Sequence, residues 1–552
     1  MAQTRRVVVS GALAAAFGLA ARRGSIGHRA EASGSDDRDE KVSTSSAGGH
    51  RAGVLFSIPT GDFSRLSPAA RAERDSIVAT INANKWDPVI PREFGPGRSV
   101  VVSSVEEMTA RIRALSAAYP NEWCRMQLAS GTYGAWQLGS DYTHSGGQWG
   151  LEGGCVIEPA PGAVVKVAAI WRGQGSGLVF RGLDFVATNN APDENATANL
   201  ALEGIFNQGA TGPSASRVVV ERCRFGQTYS AKPEGAVRWI RALNADFCES
   251  LIVRDCEFSK IRRVCNFGGR GYFEFTGNDI GESGEFGFQV NVGWTNRSSP
   301  QLANPTASDL FIYIHRNLHR GGIDEARDIH FDFIQFIGGS EAVHEGWGSR
   351  TVIENNILIC RQARVGQNIL GQAVYPTTMF LIFSMGHDGG DGKNASMRGV
   401  VFNNLHAANG FFAQLGGPNT TYFIECNTSS CQPVRPRAVT NGDAGSNAIT
   451  MFGAGEAVSV RGNIAGRVLS QGRTRLAEGQ NQLIRTSVAG PSGGLPPEAL
   501  LQGPFLRDPS QSSCWSLGEA VDLHVMPAQS LVDRAILVNT PKSGTAGARF
   551  RG

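Results

Sequence analysis

IENNIL, residues Ile353 to Leu358, is one of nine copies of a short phrase whose recurrence decides the fold of this 552-residue chain. The others are FRGLDF (Phe180 to Phe185), VERCRF (Val220 to Phe225), VRDCEF (Val253 to Phe258), FTGNDI (Phe275 to Ile280), IHRNLH (Ile314 to His319), VFNNLH (Val401 to His406), IECNTS (Ile424 to Ser429) and VRGNIA (Val460 to Ala465). Each reads apolar, any, any, Asn or a small substitute, any, and often apolar again. The fourth position runs Leu183, Cys223, Cys256, Asn278, Asn317, Asn356, Asn404, Asn427, Asn463, so neighbouring copies lie 40, 33, 22, 39, 39, 48, 23 and 36 residues apart. A fixed phrase between variable insertions is what stacked coils produce, because the coil core must repeat while its loops need not. An inward Asn on each turn can hydrogen-bond the backbone of its own turn and the Asn of the next, forming a ladder.

Between the phrases lies a second class of strand, an amide flanked by apolar residues: CNF (Cys265 to Phe267), FQV (Phe288 to Val290), IQF (Ile334 to Phe336) and AQL (Ala413 to Leu415). These predict another face of the same stack, with Asn266, Gln289, Gln335 and Gln414 in register as an interior amide row. Gly, at 69 residues, is abundant and suits chains of short strands that turn corners.

Charge excludes some partners. With 18% charged residues and a net charge of +3, the chain has no bulk field for nucleic acid or a membrane surface. Local basic stretches such as Arg262-Arg263 read either as a solvated pair at a strand end or as a contact for an acidic polymer. The N-terminus reads as an export signal over residues 1–23. Arg5-Arg6 precedes an apolar run from Val7 to Ala21 that is short for a membrane span and ends in small residues, in the manner of a twin-arginine or an ordinary secretory signal. Both imply a periplasmic or secreted protein. Residues 24–97 read as a disordered linker, poor in apolar residues up to about Gly53, followed by an N-terminal extension. The stack is expected over residues 98–480, and a closing segment and tail over 481–552.

Ten cysteines in an exported chain invite disulfides, yet Cys223 and Cys256 occupy the ladder position and Cys265 lies in an apolar strand. Cysteine packs there as a small hydrophobe. Cys426 and Cys431 are close enough in sequence to pair, and no spacing matches a zinc site.

The segment VEEMTARIRALSAAY after Ser103-Ser104 predicts a capped amphipathic helix stopped by Pro120. It leads into RMQLASGTYGAWQL, Arg125 to Leu138, which contains an L-x-x-G-x-Y strand. A short helix before such a strand resembles the N-terminal cap of right-handed parallel β-helix proteins, which covers the open edge of the first coil. DLHVMPAQSLVDRA, Asp522 to Ala535, resembles the closing segment that follows the last coil in the same group. Repeat and caps together, over about residues 98 to 540, resemble the pectate-lyase-like right-handed parallel β-helix superfamily. The resemblance implies an all-β solenoid with a short capping helix. It also implies a polysaccharide lyase or glycoside hydrolase, which most known members are. Fold alone does not give function.

The richest polar cluster runs from Asp324 to Phe336. Residues two apart share a strand face, so His330 and Asp332 point together while Phe331, Phe333 and Gln335 point the other way, inward with the phenylalanines. The H-x-D-x-x-Q phrase is similar to one in many exported β-helix proteins. An imidazole oriented by a carboxylate can give or take a proton near neutral pH. Eliminating across a uronic acid needs a base for the C5 proton, an acid for the leaving oxygen and neutralisation of the carboxylate. His330 and Asp332 suit the proton work, and Arg263, with Arg262 and Arg270, suits bidentate carboxylate recognition. Asp332 with Asp328 or Asp324 could instead hold Ca²⁺, which neutralises the same charge; no other cofactor is implied. Asn291, and His387 and Lys393 in the loop GHDGGDGKNAS (Gly386 to Ser396), are further candidates for substrate contact, although a Gly-Asp-rich loop also reads as a plain turn. His315 and His319 read as structural, and Trp239, Trp294, Tyr313 and Trp347 as core packing or as platforms for sugar rings.

Hydrolysis would need two flanking carboxyl groups, with Asp332 joined by Asp324, Asp328 or Glu345. No paired D-D or N-x-D arrangement of polygalacturonase type is present, and neither is the familiar pectate-lyase strand signature. The expectation is therefore an exported, monomeric enzyme that cleaves an acidic polysaccharide by β-elimination, with no nucleic acid partner and no membrane span in the mature chain. A hydrolase of the same fold and a non-catalytic carbohydrate-binding or surface protein remain the alternatives.

Overall fold

The computed structural model describes residues 54–137, 147–171, 176–187, 198–201, 216–227, 241–246, 248–259, 261–268, 271–281, 283–292, 309–319, 331–338, 348–359, 379–385, 396–407, 413–416, 420–429, 448–452, 458–465, 467–470, 476–479, 481–483, 527–539 and 546–550. The export-signal segment, the linker up to residue 53 and Cys431 lie outside these residues.

One coil shows the plan. Gly271–Thr276 is a strand, Gly277 turns the corner, Asn278 follows, Asp279–Ile280 is a two-residue strand and Ser283–Val292 a long one. Each pairs in parallel with its equivalent on the next coil: Gly271 with Leu310, Asp279 with Leu318, Phe286 with Asp332. Repetition builds a 13-stranded and a 21-stranded sheet. The larger sheet divides into a short-strand face and a long-strand face. The strand Val165–Trp171 marks the fork, pairing Lys166 with Asp184 on the short face and Ile170 with Leu200 on the long one. The chain is a right-handed parallel β-helix whose interior is one continuous apolar cluster from Val102 to Ala465.

The third position of the phrase, free by its sequence, is the most constrained by its backbone. Gly182, Arg222, Asp255, Gly277, Arg316, Asn355, Asn403, Cys426 and Gly462 all have φ between 52° and 67°. A left-handed residue turns the chain within one position, so this corner admits no insertion. For a residue with a Cβ it costs roughly 1–2 kcal/mol.

The ladder beside it offsets that cost. The backbone N and Nδ2 of Asn317 both donate to Oδ1 of Asn356, each at 3.0 Å. The same Nδ2 donates back to the Phe275 carbonyl of the preceding coil, at 3.1 Å. The pattern repeats through Asn278, Asn356, Asn404, Asn427 and Asn463, so each rung ties the coil before it to the coil after. It continues to Asn481, a rung beyond the nine phrases and beyond the expected boundary at residue 480. That rung escapes the phrase because its first position, paired with Val460, is Glu478 rather than an apolar residue.

Before Asn278 the column holds Leu183, Cys223 and Cys256, and both thiols keep the backward bond beside one within their own turn, to the Glu221 and Arg254 carbonyls. Cys223 Sγ donates to the Phe180 carbonyl at 3.5 Å and Cys256 Sγ to that of Val220 at 3.6 Å, the atoms an Asn Nδ2 would reach. A thiol has one weak proton where the amide has two. The seven described cysteines, Cys426 among them, are buried and none is in a disulfide.

The caps follow local chemistry. Helix α1, Pro68–Asn84, belongs to the N-terminal extension, and α2, Val105–Ala118, is the predicted capping helix. Ser104 Oγ accepts from Glu107 N at 3.1 Å while Glu107 Oε2 accepts from Ser103 N at 2.9 Å, a capping box displaced by one residue. Met108, Ile112 and Leu115 then close the first coil over Val102, Cys124 and Met126.

The extension is a strap rather than a loose leader. It runs along the outer face of the 13-stranded sheet, against the direction of the coils, and meets outward carboxylates, Glu354 and Glu425 at the second phrase position and Glu274 just before its phrase. Ser67 N and Oγ bind Glu425 at 2.7 Å each, and Arg74 grips Glu354 bidentately at 2.6 and 2.7 Å. Lys85 pairs with Glu274, and Arg254 with Asp87. Ile77 and Ile81 cover Tyr272, Phe311, Tyr313 and Val352, and Trp86 covers Val156, Val179, Val219 and Ile252. Tyr313 is consequently packing, with its hydroxyl donating to Glu354, and offers no platform for a sugar.

At the other terminus α3, Ala528–Asn539, holds part of the predicted closing segment. It packs on the flank of the stack, where Leu531, Val532 and Ala535 with Phe56 and Ile58 cover Leu318, Ile357 and Leu405. Those three residues occupy the fifth phrase position in register, an outward apolar row that needs a cover. The same row on earlier coils is Asp184, Arg224 and Glu257, which needs none.

Buried imidazoles and carboxylates set the response to acid. His319 stands inside the stack in a row with Ile280 and Leu358, and burial pushes its imidazole down to about 3. Burial would raise the Glu274 carboxyl, but hydrogen bonding and charge from His315 and Lys85 outweigh it and hold the group at about 2. The unfolded chain therefore protonates its histidine first, and stability falls as pH drops below about 6.5. The stabilisation from Glu274 is present above about 4.3 and is lost as pH falls through about 2.

Two outcomes follow for stability. Replacing exposed Arg316 by Gly raises the unfolding free energy read from urea titration by up to about 1 kcal/mol, strain relief outweighing glycine's backbone entropy, whereas Arg316→Val lowers it because a β-branched residue resists the left-handed corner; equal effects would contradict the assignment. Urea titrations at pH 7 and pH 4 compare wild type with His319→Leu. The variant narrows the difference in stability between the two pH values by roughly 3 kcal/mol, and an unchanged difference would contradict the buried neutral imidazole.

Candidate functional site on the long-strand face

Insertions single out one face of the helix. In all nine phrases the corner from the 13-stranded sheet to the short-strand face is the same left-handed residue followed by the ladder residue. From residue 188 to 457, every longer connection enters or leaves a long strand: residues 293–308 follow Ser283–Val292, 320–330 precede Phe331–Gly338, 339–347 follow it, and 360–378 precede Met379–Met385. Variable loops carry binding and catalytic residues on a rigid scaffold. In this chain those long connections all join onto the strands of the long-strand face, while the strap and α3 pack on the two others.

The strands of this face break alternation in a way that re-aims the amide row. Phe286 pairs with Asp332 and Phe288 with Ile334, which leaves Gly287 opposite Phe333. Phe333 and Ile334 both belong to the core, Phe333 meeting the Phe288 ring edge-on at 5.3 Å. Two consecutive inward residues need room, and Gly287 supplies it, since a Cβ there would stand 2.6 Å from the Phe333 carbonyl oxygen. Beyond the break, Gln335 lies between Ile334 and Phe336, both in the core, so its side chain leaves from the outer face. Asn266 sits likewise between Cys265 and Phe267. The expectation of an interior amide row, with Gln335 as scaffold, is therefore corrected. The period-2 reading failed because it assumed that no residue in the strand broke the alternation.

The row itself is as predicted. Asn266 pairs with Gln289, Gln289 with Gln335, Gln335 with Phe383, and Phe383 with Gln414. Asn266 and Gln335 are each 4% exposed, and Asn266 Oδ1 and Gln335 Oε1 accept no hydrogen bond. Leaving a buried acceptor unpaired costs about 1–3 kcal/mol. Nothing in the sequence marked these atoms, because the triplet pattern is silent about which side of the sheet is inside.

Of the other candidates, the backbone places Arg263 and Asp332 in one row of this sheet, two strands apart through Phe286. Asn291 falls in a different row, paired with Gly268 and Ile337. Arg262 lies at a shift in register between Ile261 and Arg263. His330, Asp328, Arg270, His387 and Lys393 lie outside the described residues, as do Asp324, Glu345, Trp239, Trp294 and Trp347. His315 and His319 are structural, the first bonded to Glu274 at 2.8 Å beneath the strap and the second inside the stack. Among the described residues no group of three His, Cys, Asp or Glu side chains is placed to hold a metal ion. No described helix is long and apolar enough to cross a membrane.

These features define a parallel β-helix whose long connections join onto one face. No family model and no curated protein matches the chain. Among solved structures it is similar to a mannuronic acid specific polysaccharide family 6 lyase from human gut microbiota, at 11% identity and a TM-score of 0.28, over 72% of this chain and 82% of that one. A likeness of that size assigns no chemistry, and the fold rests on the strand registers.

Proposed function

We propose that the protein is an exported, monomeric polysaccharide lyase that cleaves a uronic-acid-containing chain on its long-strand face. The observation that carries the reading is the placement of Arg263 and Asp332 in one row of the face that the insertions border. Two strand spacings separate them, about 9.6 Å, a span that two extended side chains and one sugar ring can bridge.

In this reading Arg263 pairs with the uronate carboxylate and lowers the cost of charge developing on it as the C5 proton leaves. His330 takes that proton, and Asp332 orients the imidazole. The electron pair of the broken C5–H bond forms the C4–C5 double bond, and the glycosidic oxygen departs from C4 with a proton from a general acid. Arg262, Arg270, His387 and Lys393 are proposed to contact neighbouring sugars. The twin-arginine-like N-terminus supports a periplasmic or secreted location, where such polymers are met.

Digests of polymannuronate, polyguluronate and polygalacturonate, followed by the ultraviolet absorbance of unsaturated ends, test the reading. The wild type generates absorbance on at least one polymer, and Arg263→Ala, His330→Ala and Asp332→Asn each lower the rate by 10²-fold or more. Chain shortening without absorbance would make the protein a hydrolase, and full activity in all three variants would displace the site.

A further inference from the structure

Two segments from opposite ends of the sequence meet on the left-handed corner of the later coils. We propose that the strap and residues 546–550 form one latch, a conformational device in which each segment holds the other closed over the stack. The latch lies away from the long-strand face and is independent of the lyase chemistry.

Two corner asparagines, Asn355 and Asn403, both buried, join the segments. Gly61 N and Asn403 Nδ2 each donate to Asn355 Oδ1 at 2.8 Å, and Arg549 N donates to Asn403 Oδ1 at 2.5 Å. Each buried amide oxygen takes a donor from one segment, so opening either segment weakens the seat of the other. The segments also meet directly, in an antiparallel bridge between Gly61 and Phe550. Glycine permits that approach, since a Cβ on Gly61 would stand 2.7 Å from Asn403 Cγ and 2.9 Å from the Phe402 ring. Ala548 N donates to Thr428 Oγ1 at 2.8 Å and Gly547 N to the Gly462 carbonyl at 2.6 Å, which seats the tail on the corner of the following coils. Ser57 N donates to Gln529 Oε1 on α3 at 2.7 Å, and Phe56, Ile58, Leu531 and Phe550 share one apolar cluster.

Beyond Gly61 the strap meets the coils one after another. An α-helix advances about 5.4 Å per turn and stacked strands lie about 4.8 Å apart, so successive turns of α1 fall near successive coils. Ser67 meets Glu425, Glu73 meets Arg398 and Arg74 meets Glu354, on the strands that begin at Thr420, Ser396 and Gly348. Ile77 and Ile81 then pack on Phe311 and Tyr313, and Lys85 pairs with Glu274. The order is reversed, because the strap residues earliest in the sequence meet the coils synthesised latest. Early coils therefore offer sites to Trp86 and Lys85, later coils to Arg74 and Ser67, and Gly61 waits for residues 546–550. The strap zips shut coil by coil and the tail catches its end. Its open state bares the apolar sheet surface that Leu66, Ala70, Ile77 and Ile81 cover, a surface of the kind that associates.

Native-state hydrogen–deuterium exchange of the full-length chain tests whether the two segments open as one. Wild type is compared with Asn403→Gly, Gly61→Val and Arg74→Ala. Asn403→Gly keeps the left-handed corner, which glycine adopts without strain, and removes only the amide. Gly61→Val blocks the close approach from the strap's side, and Arg74→Ala loosens the strap at a point remote from the tail. In Asn403→Gly and Gly61→Val, residues 55–66 and 546–550 are both expected to exchange roughly five- to tenfold faster, while peptides around Asn317 keep wild-type protection. Arg74→Ala is expected to speed residues 546–550 by a factor comparable to that for residues 55–66, since a latch that opens as one unit has one opening equilibrium and the coupling is reciprocal. Faster exchange in one segment with the other unchanged, in any of the three variants, overturns the proposal, and so does wild-type exchange of both segments in all three. Faster exchange spread equally over the ladder peptides also overturns it, because the segments would then belong to the stack rather than latch upon it.

Discussion

The bond from each ladder Nδ2 to Oδ1 of the next rung is the interaction on which the rest of this molecule depends. It is made at a corner that the backbone enters only by adopting a left-handed conformation, which costs free energy at every residue with a Cβ. The Asn returns that cost in two directions, holding a carbonyl of the coil before and the side chain of the coil after. A coil with a longer corner would lose both bonds. The pitch of the stack and the phase of every strand beside the ladder are fixed as a result, and length variation is driven to the far side of each coil.

That displacement produces a division of labour among three faces. The 13-stranded sheet turns carboxylates outward and the strap neutralises them one after another from Glu425 back to Glu274. The short-strand face turns an apolar row outward on its later coils and α3 covers it. From residue 188 to 457 the longer connections all join onto the long strands, whose described residues include the break at Gly287 and Phe333. Within a row, a rigid repeat turns each outward side chain into one of an evenly spaced series, a natural arrangement for meeting a polymer that itself repeats.

Much of the scaffold was legible because its causes are local. The nine phrases, the capped helix at Val105 and the register of the amide triplets all follow from residue type at fixed spacing. Glu478 hid the last rung because the phrase demanded an apolar residue there. The left-handed third position was invisible because Arg, Asp, Cys and Gly share no side-chain property, only a backbone that the next residue stabilises. The direction of Gln335 was misread for a physical reason too: alternation is a rule about an unbroken strand, and a glycine on the neighbouring coil permits two consecutive residues to face inward. The role of the N-terminal extension depended on partners more than 200 residues away, such as Glu354 and Glu425, which no local pattern displays. Of the catalytic candidates, the row shared by Arg263 and Asp332 could be traced through the strand registers, while His330 precedes the strand that the structure describes.

Hydrogen–deuterium exchange of the full chain with and without an oligouronate is the most direct measure of the central claim, that the ladder is scaffold and the long-strand face is the site. Peptides spanning Ile261–Gly268 and Phe331–Gly338 should slow their exchange on adding the oligosaccharide, while ladder peptides around Asn317 and Asn356 remain protected to the same degree in both states. Protection that appears instead along the strap or over α3, with the long strands unchanged, would contradict it.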